Sequence, residues 1–294
     1  MSVEIKDILG FWNIRNVELI QKLGEGTVVY IVETERGTVV LKRHKISLPE
    51  KYIQGNIRAH EFLGNKLRIA PQIYYRPDGM AFWKSDTHYY YLMEFIQGIH
   101  VQETAHDEWL LGEATAKLHQ LTGYNFPCEL DANEQIRIIK TWYSDRKWKP
   151  ELDMLMDSLP DFNSYSQCFI HTDIGPHNAI VRNGAIVFID LDGAGIGSKY
   201  LDIGYPFIAQ FVAYNKKSGE TYYKFDAAKA FLEGYCSVSK LTKAEYDLIW
   251  HGAVLRHIYE MQYYGEEAVE PLWHILNFGL QQKDNLLQIV NCIV

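Results

Sequence analysis

The sequence lacks an excess of positive charge and holds few cysteines, and each shortage excludes a class of protein. Its 294 residues include 29 Lys and Arg but 37 Asp and Glu, which gives a formal net charge of −8. Proteins that wrap nucleic acid or lie on anionic lipid need a basic surface, so we expect neither kind of partner. The four cysteines are scattered without a C-x-x-C pair, which disfavours both a zinc knuckle and a disulfide framework.

Long apolar runs and targeting signals are missing as well. No apolar stretch approaches the roughly 20 residues of a membrane-spanning helix. The N-terminal segment MSVEIKDILG contains acids where a signal peptide would be basic and then apolar. There is also no internal repeat, low-complexity tract or long linker. These absences, together with the scattered cysteines, predict a soluble protein of the reducing cytoplasm that has no membrane partner.

Aromatic residues, by contrast, are plentiful. The chain has 20 Tyr, 13 Phe and 7 Trp in a composition that is 47% hydrophobic. Its length suffices for two lobes, each with its own core. The formal charge is +3 for residues 1–93 and −11 for residues 94–294. We therefore expect two lobes of different chemistry, with some aromatic rings lining a binding site rather than a core.

The first third of the chain has the pattern of a small sheet. After a short helix near residues 4–12, the runs VELIQKL, GTVVYIVET and TVVLKRH indicate three antiparallel strands, the last two joined by a turn at residues 35–37. The stretch PEKYIQGNIRAHEFLGNKL has helical spacing, and β-rich runs follow at residues 73–75 and in THYYYLMEFI. Residues 1–95 are therefore predicted to form a lobe with an antiparallel sheet and one main helix.

The remainder, residues 96–294, has mainly helical periodicity. Helices are predicted in HDEWLLGEATAKLHQL, in a longer piece over residues 132–148 that Pro150 interrupts, and throughout residues 200–294. The exception is CFI followed by AIVRNGAIVFI, whose central Asn-Gly is a strong hairpin signal. We expect a larger, mostly helical lobe in which this β-rich insert carries the functional residues.

The octapeptide HTDIGPHN at residues 171–178 concentrates polar groups between two apolar runs. Phosphoryl transfer needs a carboxylate near the acceptor hydroxyl, oxygen ligands for Mg²⁺ and a cation for the donor phosphates. Asp173 and Asn178 could supply the first two from one loop, and Asp190 follows after a hairpin. For Asp173 and Asn178 the alternative is an Asx-rich turn, and for Asp190 it is a structural residue at the end of a strand. A zinc site is a further alternative. The zinc site would use His171 and His177, but the sequence offers no convincing third ligand.

The motifs HTDIGPHN, FIDLDGAG and YLDIG, supported by LGEG and VVLK nearer the N-terminus, resemble those of the aminoglycoside phosphotransferase and choline kinase-like superfamily. The resemblance extends from about residue 20 to about residue 215. It implies an α+β, two-lobed, protein-kinase-like fold in which residues 1–95 are the nucleotide-binding lobe. It also implies transfer of the γ-phosphate of ATP or GTP, with Mg²⁺, to a hydroxyl of a small molecule. Thr172 stands where this family usually has Gly, and Leu191 where an aromatic residue is common.

The resemblance also implies roles for individual residues. Asp173 would be the catalytic aspartate that accepts or orients the acceptor hydroxyl proton, and Asn178 and Asp190 would hold Mg²⁺. His171 would brace the catalytic loop, as would Asp202 of YLDIG.

Asp192 has two possible roles on the sequence alone. Its carboxylate could assist at the metal, or it could accept hydrogen bonds from the loop backbone.

On the nucleotide side, Gly24 and Gly26 would let the backbone approach the phosphates, although an ordinary hairpin explains two glycines almost as well. Lys42 lies in an apolar strand, where an ammonium group is costly unless it meets an anion. We predict that Lys42 binds the donor phosphates, the alternative being a solvated lysine on an edge strand. Its expected partner is Glu61, in the middle of the predicted helix.

The segment LMEFIQG is predicted to connect the lobes. Its backbone, from Glu94 through Phe95 to Ile96, would form hydrogen bonds with the edge of the adenine base.

The acceptor is expected to be a small molecule, because H-R-D, D-F-G, A-P-E and a long activation segment are all absent. Acids at residues 266, 267 and 270 would suit a cationic, hydroxylated acceptor, either an amine-bearing metabolite or an aminoglycoside-like sugar, although solvated helix faces explain the same acids. Aromatic candidates for the acceptor wall are Tyr214, Tyr222, Tyr223, Trp250, Tyr259, Tyr263, Tyr264 and Trp273.

Two other functions remain open: a catalytically silent scaffold protein with this fold, and an atypical protein kinase. A silent protein would have no chemical need for Lys42, Asp173, Asn178 and Asp190 together.

Overall fold

In the computed structural model, which describes residues 5–23, 28–129, 131–142, 145–215, 217–264 and 266–293, the chain separates into two units. One unit comprises Met1–Gly98 and Val187–Asp192, and the other comprises Ile99–Ile186 and Gly193–Val294. No helix among the described residues is long and apolar enough to cross a membrane.

An antiparallel sheet of order β1-β2-β3-β6-β4, with β5 paired to β6, forms the centre of the first unit. The predicted meander and the predicted main helix are both confirmed. The elements are α1 (Ile5–Gly10), β1 (Val17–Leu23), β2 (Val28–Thr34), β3 (Gly37–Lys45), α2 (Glu50–His60), a π-helical continuation (Glu61–Lys66), β4 (Ile73–Tyr74), β5 (Phe82–Lys84) and β6 (His88–Glu94).

At β2 and β3 both faces of this sheet are largely buried, which explains the long apolar runs of these two strands, whereas β1 is mostly exposed. Helix α1 packs Ile8 and Leu9 against one face. Helix α2 packs Ile53 and Ile57 against the other face, where Val40 also lies. Because side chains alternate along a strand, Lys42 shares the α2 face of β3 with Val40. The sheet therefore directs the ammonium group towards α2.

Val187–Asp192 belongs to the first unit, whereas the sequence predicts a boundary after residue 95, with residues 190–192 in the larger lobe. The difference has a physical cause. The Phe188 N–H donates to the Ile69 carbonyl at 3.0 Å. Ion pairs link Lys42 to Asp190 and Asp192. These contacts outweigh the position of the segment in the sequence.

The second unit is mostly helical but includes short antiparallel strand pairs: β8 with β11, β7 with β9, and β12 with β13. Its described residues form β7 (Ile99–His100), α3 (Ala105–His119), α4 (Ala132–Thr141), α5 (Lys149–Ser158), β8 (Gln167–Ile170), β9 (Ala179–Arg182), β10 (Ala185–Phe188, which ends in the first unit), β11 (Gly195–Ser198), α6 (Lys199–Ala209), β12 (Val212–Asn215), β13 (Glu220–Tyr223), α7 (Phe225–Val238), α8 (Lys243–Tyr263), α9 (Glu266–Leu280) and α10 (Lys283–Ile293).

The predicted Asn-Gly turn between β9 and β10 is confirmed, since Asn183 and Gly184 have φ of 54° and 75°. Two other predictions for this unit were wrong. Residues 132–148 do not form one long helix that Pro150 interrupts. Instead α4 ends at Thr141, and Pro150 lies in the first turn of α5, where its missing N–H costs nothing.

Residues 200–294 are likewise not helical throughout, because the hairpin β12–β13 separates α6 from α7. The two strands are rich in Tyr, a residue that favours β structure, and they pair antiparallel with Tyr214 opposite Thr221.

Helices α6 and α8 approach each other through two glycines. A Cβ atom on Gly204 would lie 2.4 Å from the Ile249 carbonyl oxygen, and one on Gly252 would lie 2.1 Å from the Tyr200 carbonyl oxygen. Both obstacles are backbone atoms, which cannot rotate away as a side chain can. The absence of a side chain at these two positions therefore sets the distance between α6 and α8.

A buried carboxyl group lies in the first turn of α3. Glu108 is buried, and its Oε2 has no hydrogen-bond partner among the described residues. Burial raises the pKa of Glu108 from 4.5 to about 7, while Lys224 acts in the opposite direction. The folded state therefore retains this proton up to about pH 7, whereas the unfolded chain releases it near pH 4.5. Stability must fall as the pH rises between these two values.

Glu108→Gln removes that titration and should make stability less sensitive to pH. We expect the variant to match the parent near pH 5 and to exceed it at pH 8 by about 2.5 kcal/mol, since most of the rise of the Glu108 pKa from 4.5 to about 7 lies in this interval and one pKa unit corresponds to about 1.4 kcal/mol. Urea denaturation of both proteins at pH 5, 6.5 and 8 measures the difference. Glu113→Gln removes the same charge from a less buried site on α3 and serves as the control. A difference that is constant with pH would contradict the interpretation.

Candidate active site

The loop of residues 171–178 runs from the end of β8 to the start of β9 and closes with a 3₁₀ turn at Pro176–Asn178. Asp202 of α6, fully buried, holds the start of this loop. Its Oδ2 accepts a hydrogen bond from the His171 N–H at 2.6 Å, and its Oδ1 accepts one from the Thr172 N–H at 2.7 Å. The predicted bracing by Asp202 is confirmed by these two bonds.

Further side chains that the sequence analysis did not identify also support the loop. Arg256 of α8 donates to the Thr172 carbonyl oxygen, and Gln210 donates to the Ile174 carbonyl oxygen. The available signal for Arg256 was its charge within the apolar run GAVLRHIYEM of a helix. Such a buried cation needs acceptors, but the sequence does not show which ones.

His119 of α3 supports Asp202 from another direction. Its Nε2 lies 3.2 Å from Asp202 Oδ2, and its Nδ1 lies 3.0 Å from the Tyr235 hydroxyl. These three side chains come from α3, α6 and α7, so their relation is invisible in the sequence.

Thr172 has a left-handed backbone, with φ of 74°. This conformation is unusual for a β-branched residue, because its Cβ substituents crowd the backbone. It also explains why a glycine suits this position in the family that the motif resembles. In this chain the bonds from Thr172 to Asp202 and Arg256 hold the residue in that conformation.

Asp173 lies at the centre of the loop with its side chain 40% exposed. Asn178 Nδ2 donates to Asp173 Oδ2 at 2.7 Å and to its carbonyl oxygen at 3.0 Å. His177 Nε2 lies 3.4 Å from the same carboxylate. Burial alone would raise the pKa of Asp173, but His177, Arg256 and His171 together hold it well below its ordinary value. Asp173 is therefore ionised at any working pH.

A second carboxyl group lies near Asp173. The Tyr205 hydroxyl of α6 donates a hydrogen bond to Glu260 Oε1 of α8. Burial raises the pKa of Glu260, and the charge on Asp173 adds to the effect. The C-terminal end of α8 thus places an acidic group close to the catalytic loop.

The predicted metal ligands have chemistry that suits Mg²⁺. The Asn178 side-chain nitrogen donates both of its hydrogen bonds to Asp173, which leaves Oδ1 as the acceptor atom. Asp190 presents a carboxylate that is 45% exposed. The described residues include no cluster of three His, Cys, Asp or Glu side chains that could hold a metal. Mg²⁺ does not require one, since it retains waters and binds through one or two carboxylates and substrate phosphates.

In the first unit, Lys42 is brought together with Asp190. Its Nζ, on a side chain only 1% exposed, lies 2.6 Å from Asp190 Oδ1 and 2.7 Å from Asp192 Oδ1. Burial lowers the pKa of Lys42, but the two carboxylates more than offset this and hold it above its ordinary value. Lys42 is therefore a charged, buried group and not a solvated lysine on an edge strand.

The expected pairing of Lys42 with Glu61 was wrong. Glu61 begins the π-helical segment beyond α2, and its Oε1 accepts a hydrogen bond from the Tyr75 hydroxyl at 2.6 Å. Glu61 is therefore engaged by Tyr75, and Lys42 by Asp190 and Asp192.

The other residues predicted to contact the nucleotide are two glycines and the segment of residues 94–96. Gly24 and Gly26 lie outside the described residues. Glu94 ends β6, and its N–H donates to the Gln72 carbonyl oxygen at 2.9 Å. Phe95 and Ile96 follow the strand, with Ile96 buried. The hydrogen bonds of this segment to adenine stay a prediction.

The aromatic candidates for the acceptor wall differ in exposure. Trp250 and Trp273 are buried and belong to the core, whereas the exposed rings are Tyr214, Tyr222, Tyr263 and Tyr264. A cavity of about 210 Å³ lies at the end of α8. Its lining consists of Trp142, Asp145, Arg146, Met261, Gln262, Glu266 and Val269.

Two of the clustered acids are already paired. Arg146 forms ion pairs with Glu266 and Glu270, so much of their charge is neutralised within the protein.

Comparison with known proteins defines the class. The APH family model, described as the phosphotransferase enzyme family, matches residues 19–230, and the chain belongs to this family. The predicted enzyme class, a small-molecule kinase, is thereby confirmed at the level of the family. No curated protein matches the sequence.

Solved structures share the kinase-like fold, as predicted. The microcompartment-associated aminopropanol kinase has a TM-score of 0.68 with this chain, at 16% identity over 96% of each chain. Amicoumacin kinase hAmiN, in complex with AMP-PNP and Ca²⁺, has a TM-score of 0.66 at 18% identity, with coverage of 90% of this chain and 88% of that one. Choline kinase from Cryptosporidium parvum has a TM-score of 0.64 at 15% identity, with coverage of 92% and 90%.

Proposed function

We propose that the protein transfers the γ-phosphate of ATP or GTP, as the Mg²⁺ complex, to a hydroxyl group of a small molecule. The observation that best supports this proposal is the state of Asp173. The carboxylate is ionised, partly exposed and oriented by Asn178, on a loop whose backbone is fixed by buried side chains. A carboxylate prepared in this way has the chemistry needed to orient an attacking hydroxyl.

The low pKa of Asp173 determines its role. An efficient general base has a pKa near the working pH, whereas a carboxylate with a depressed pKa is a weak base. In a loose phosphoryl-transfer transition state the hydroxyl retains its proton until late. Asp173 therefore orients the acceptor hydroxyl and accepts its proton late in the transfer.

The remaining residues act on the donor. Lys42 binds donor phosphates, and Gly24 and Gly26, which lie outside the described residues, stay the predicted phosphate-binding glycines. The segment from Glu94 to Ile96 holds the base. Mg²⁺ would be held by Asn178 and Asp190 and, when bound, supplies neutralisation of the charge on the phosphates.

An amine-bearing alcohol is the acceptor class that the second unit favours. Glu260 places a second carboxyl group near Asp173, and exposed tyrosines lie on the β12–β13 hairpin and at the end of α8. A cation is attracted to both kinds of group. Similar structures include a choline kinase and an aminopropanol kinase, whose names contain amino alcohols.

The proposal is tested by turnover with Mg·ATP and Mg·GTP against a panel of hydroxylated amines, neutral sugars and peptides. We expect nucleotide consumption that depends on a hydroxylated amine and stops when EDTA removes the metal. Each amine has a matched neutral alcohol as its control. Activity confined to neutral or anionic alcohols would refute the amine preference. Labelling of peptides alone would indicate a protein kinase, and no turnover with any acceptor would favour a silent scaffold.

A further inference from the structure

The buried ammonium group of Lys42 depends on counter-charges for its position. A charge this deeply buried is strongly destabilising when it loses its partner, so the partner must be held at least as firmly as the lysine. Lys42 contacts two carboxylates at nearly equal distances, 2.6 Å to Asp190 and 2.7 Å to Asp192. The two differ in their surroundings.

Asp192 is the inner carboxylate, with a side chain 16% exposed. Besides Lys42, its Oδ1 accepts a hydrogen bond from Asn56 Nδ2 at 3.0 Å and one from the Tyr91 hydroxyl at 3.3 Å. His44 Nε2 lies 3.8 Å from its Oδ2, and burial lowers the pKa of His44, so this imidazole is neutral near pH 7. Asp192 is thus fixed by groups from α2 and β6, and its charge is directed to Lys42.

Asp190 is the outer carboxylate, with a side chain 45% exposed. Its backbone is left-handed, with φ of 58°, so the chain turns at this point and presents the side chain towards solvent. An exposed partner of a buried cation can be replaced by another anion more easily than an enclosed one.

Helix α2 brings no carboxylate to Lys42. The residue that it places beside Asp192 is Asn56, which is buried and uncharged. The two acids in the fully described stretch of residues 50–66 point elsewhere, because Glu50 pairs with Lys84 at 3.0 Å and Glu61 accepts from Tyr75. The charge that the sequence analysis expected from a helix glutamate therefore has to come from another element.

We propose that Asp192 is the positioning residue for Lys42 and takes the place of that helix glutamate, with Asn56 and Tyr91 fixing Asp192 in turn. The inference rests on the proposed function, in which Lys42 binds the donor phosphates. Asp190 is then the exchangeable partner. A donor phosphate replaces Asp190 beside Nζ, while Asp192 keeps the ammonium group oriented throughout.

A double-mutant cycle between Lys42→Met and Asp192→Asn tests this role. Isothermal titration calorimetry measures ATP binding in EDTA and again in Mg²⁺. We expect Asp192→Asn to weaken binding about tenfold or more under both conditions, because the ammonium group loses its orientation. In the Lys42→Met protein the same change should have little further effect, since the two residues act as one unit.

The exchanged variant Asn56→Asp with Asp192→Asn provides the rescue. In this variant position 56 carries the carboxylate and position 192 the amide, so the pair again brings one negative charge to Lys42. We expect this protein to recover most of the affinity that Asp192→Asn loses. Asp78→Asn, an exposed acid paired with Arg76 in the same unit, is the matched control and should bind ATP as the parent does. Melting temperatures verify that each variant is folded.

The outcomes separate this inference from the proposed function. A parent protein that binds neither ATP nor GTP would overturn both. A parent that binds ATP, with Asp192→Asn unchanged, would overturn the inference alone. The inference would also be overturned if Asp192→Asn weakened ATP binding only in the presence of Mg²⁺, and did so equally in the Lys42→Met protein. That behaviour would identify Asp192 as a metal ligand. If Asp192→Asn does not fold, the exchanged variant decides, because binding supports the role and its loss refutes it.

Discussion

Asp173→Ala should slow phosphoryl transfer by about 10²- to 10⁴-fold, the contribution typical of a positioned acid or base. The acceptor hydroxyl would lose the carboxylate that orients it. The proposed donor contacts at Lys42 and Asp190 belong to the first unit, and Asn178 keeps its hydrogen bond to the main-chain carbonyl oxygen of residue 173. We therefore expect Mg·nucleotide affinity close to that of the parent. Turnover under saturating nucleotide, together with calorimetric nucleotide binding, measures the two effects separately.

Asp173→Asn sharpens this prediction. The amide retains an oxygen that can accept from Asn178, so the loop keeps its shape while the charge is lost. A decrease in turnover similar to that of the alanine variant would show that the charge matters more than the shape. Asp157→Ala removes an exposed acid of α5 and is the control. Turnover of either Asp173 variant at the parent rate would refute the catalytic role.

Gly252→Ala should destabilise the protein by roughly 3 kcal/mol, at the upper end of the cost of overpacking. The added methyl group would meet the Tyr200 backbone at 2.1 Å, so α8 and α6 must move apart. Because α6 carries Asp202 and α8 carries Arg256, this movement would also disturb the catalytic loop. We expect a lower melting temperature and, at a temperature where the variant is folded, a lower turnover rate.

Gly55→Ala is the matched control for Gly252→Ala. Gly55 lies in α2, and a Cβ atom there would meet nothing within 4 Å. Alanine favours helix over glycine by about 1 kcal/mol, so this variant should be slightly more stable than the parent. Thermal and urea denaturation of the two variants should therefore change in opposite directions. Equal stability of Gly252→Ala and the parent would mean that the α6–α8 contact is not fixed by its glycines.

Local signals made much of the fold predictable. Strands β1 to β3 follow from their β-branched runs, and the turn at Asn183-Gly184 follows from residues that tolerate positive φ. The prediction failed where the decisive contact is distant in sequence or where one residue has two possible uses. Pro150 can end a helix or begin one, and only the packing of α5 selects the second.

The site divides in the same way. The bracing by Asp202 could be predicted because this residue is part of a motif with fixed spacing. The roles of Asp173 and Asn178, from a motif of the same kind, stay predictions. The counter-ion of Lys42 could not be predicted, since Asp192 lies 2.7 Å away in space but far along the chain. The partner of Glu61 could not be predicted either, since no sequence motif relates it to Tyr75. Arg256 was missed for a related reason, because its acceptor is a carbonyl oxygen that every residue possesses.

The catalytic loop is fastened by its main chain. Asp202, Arg256 and Gln210 bind peptide N–H and C=O groups of the loop at residues 171, 172 and 174, and those groups are common to nearly all amino acids. The anchorage is therefore largely indifferent to which side chains the loop displays. For protein engineering this makes the loop a reusable platform, and new acceptor preferences can be selected from libraries in the surrounding helices while Asp173 keeps its place.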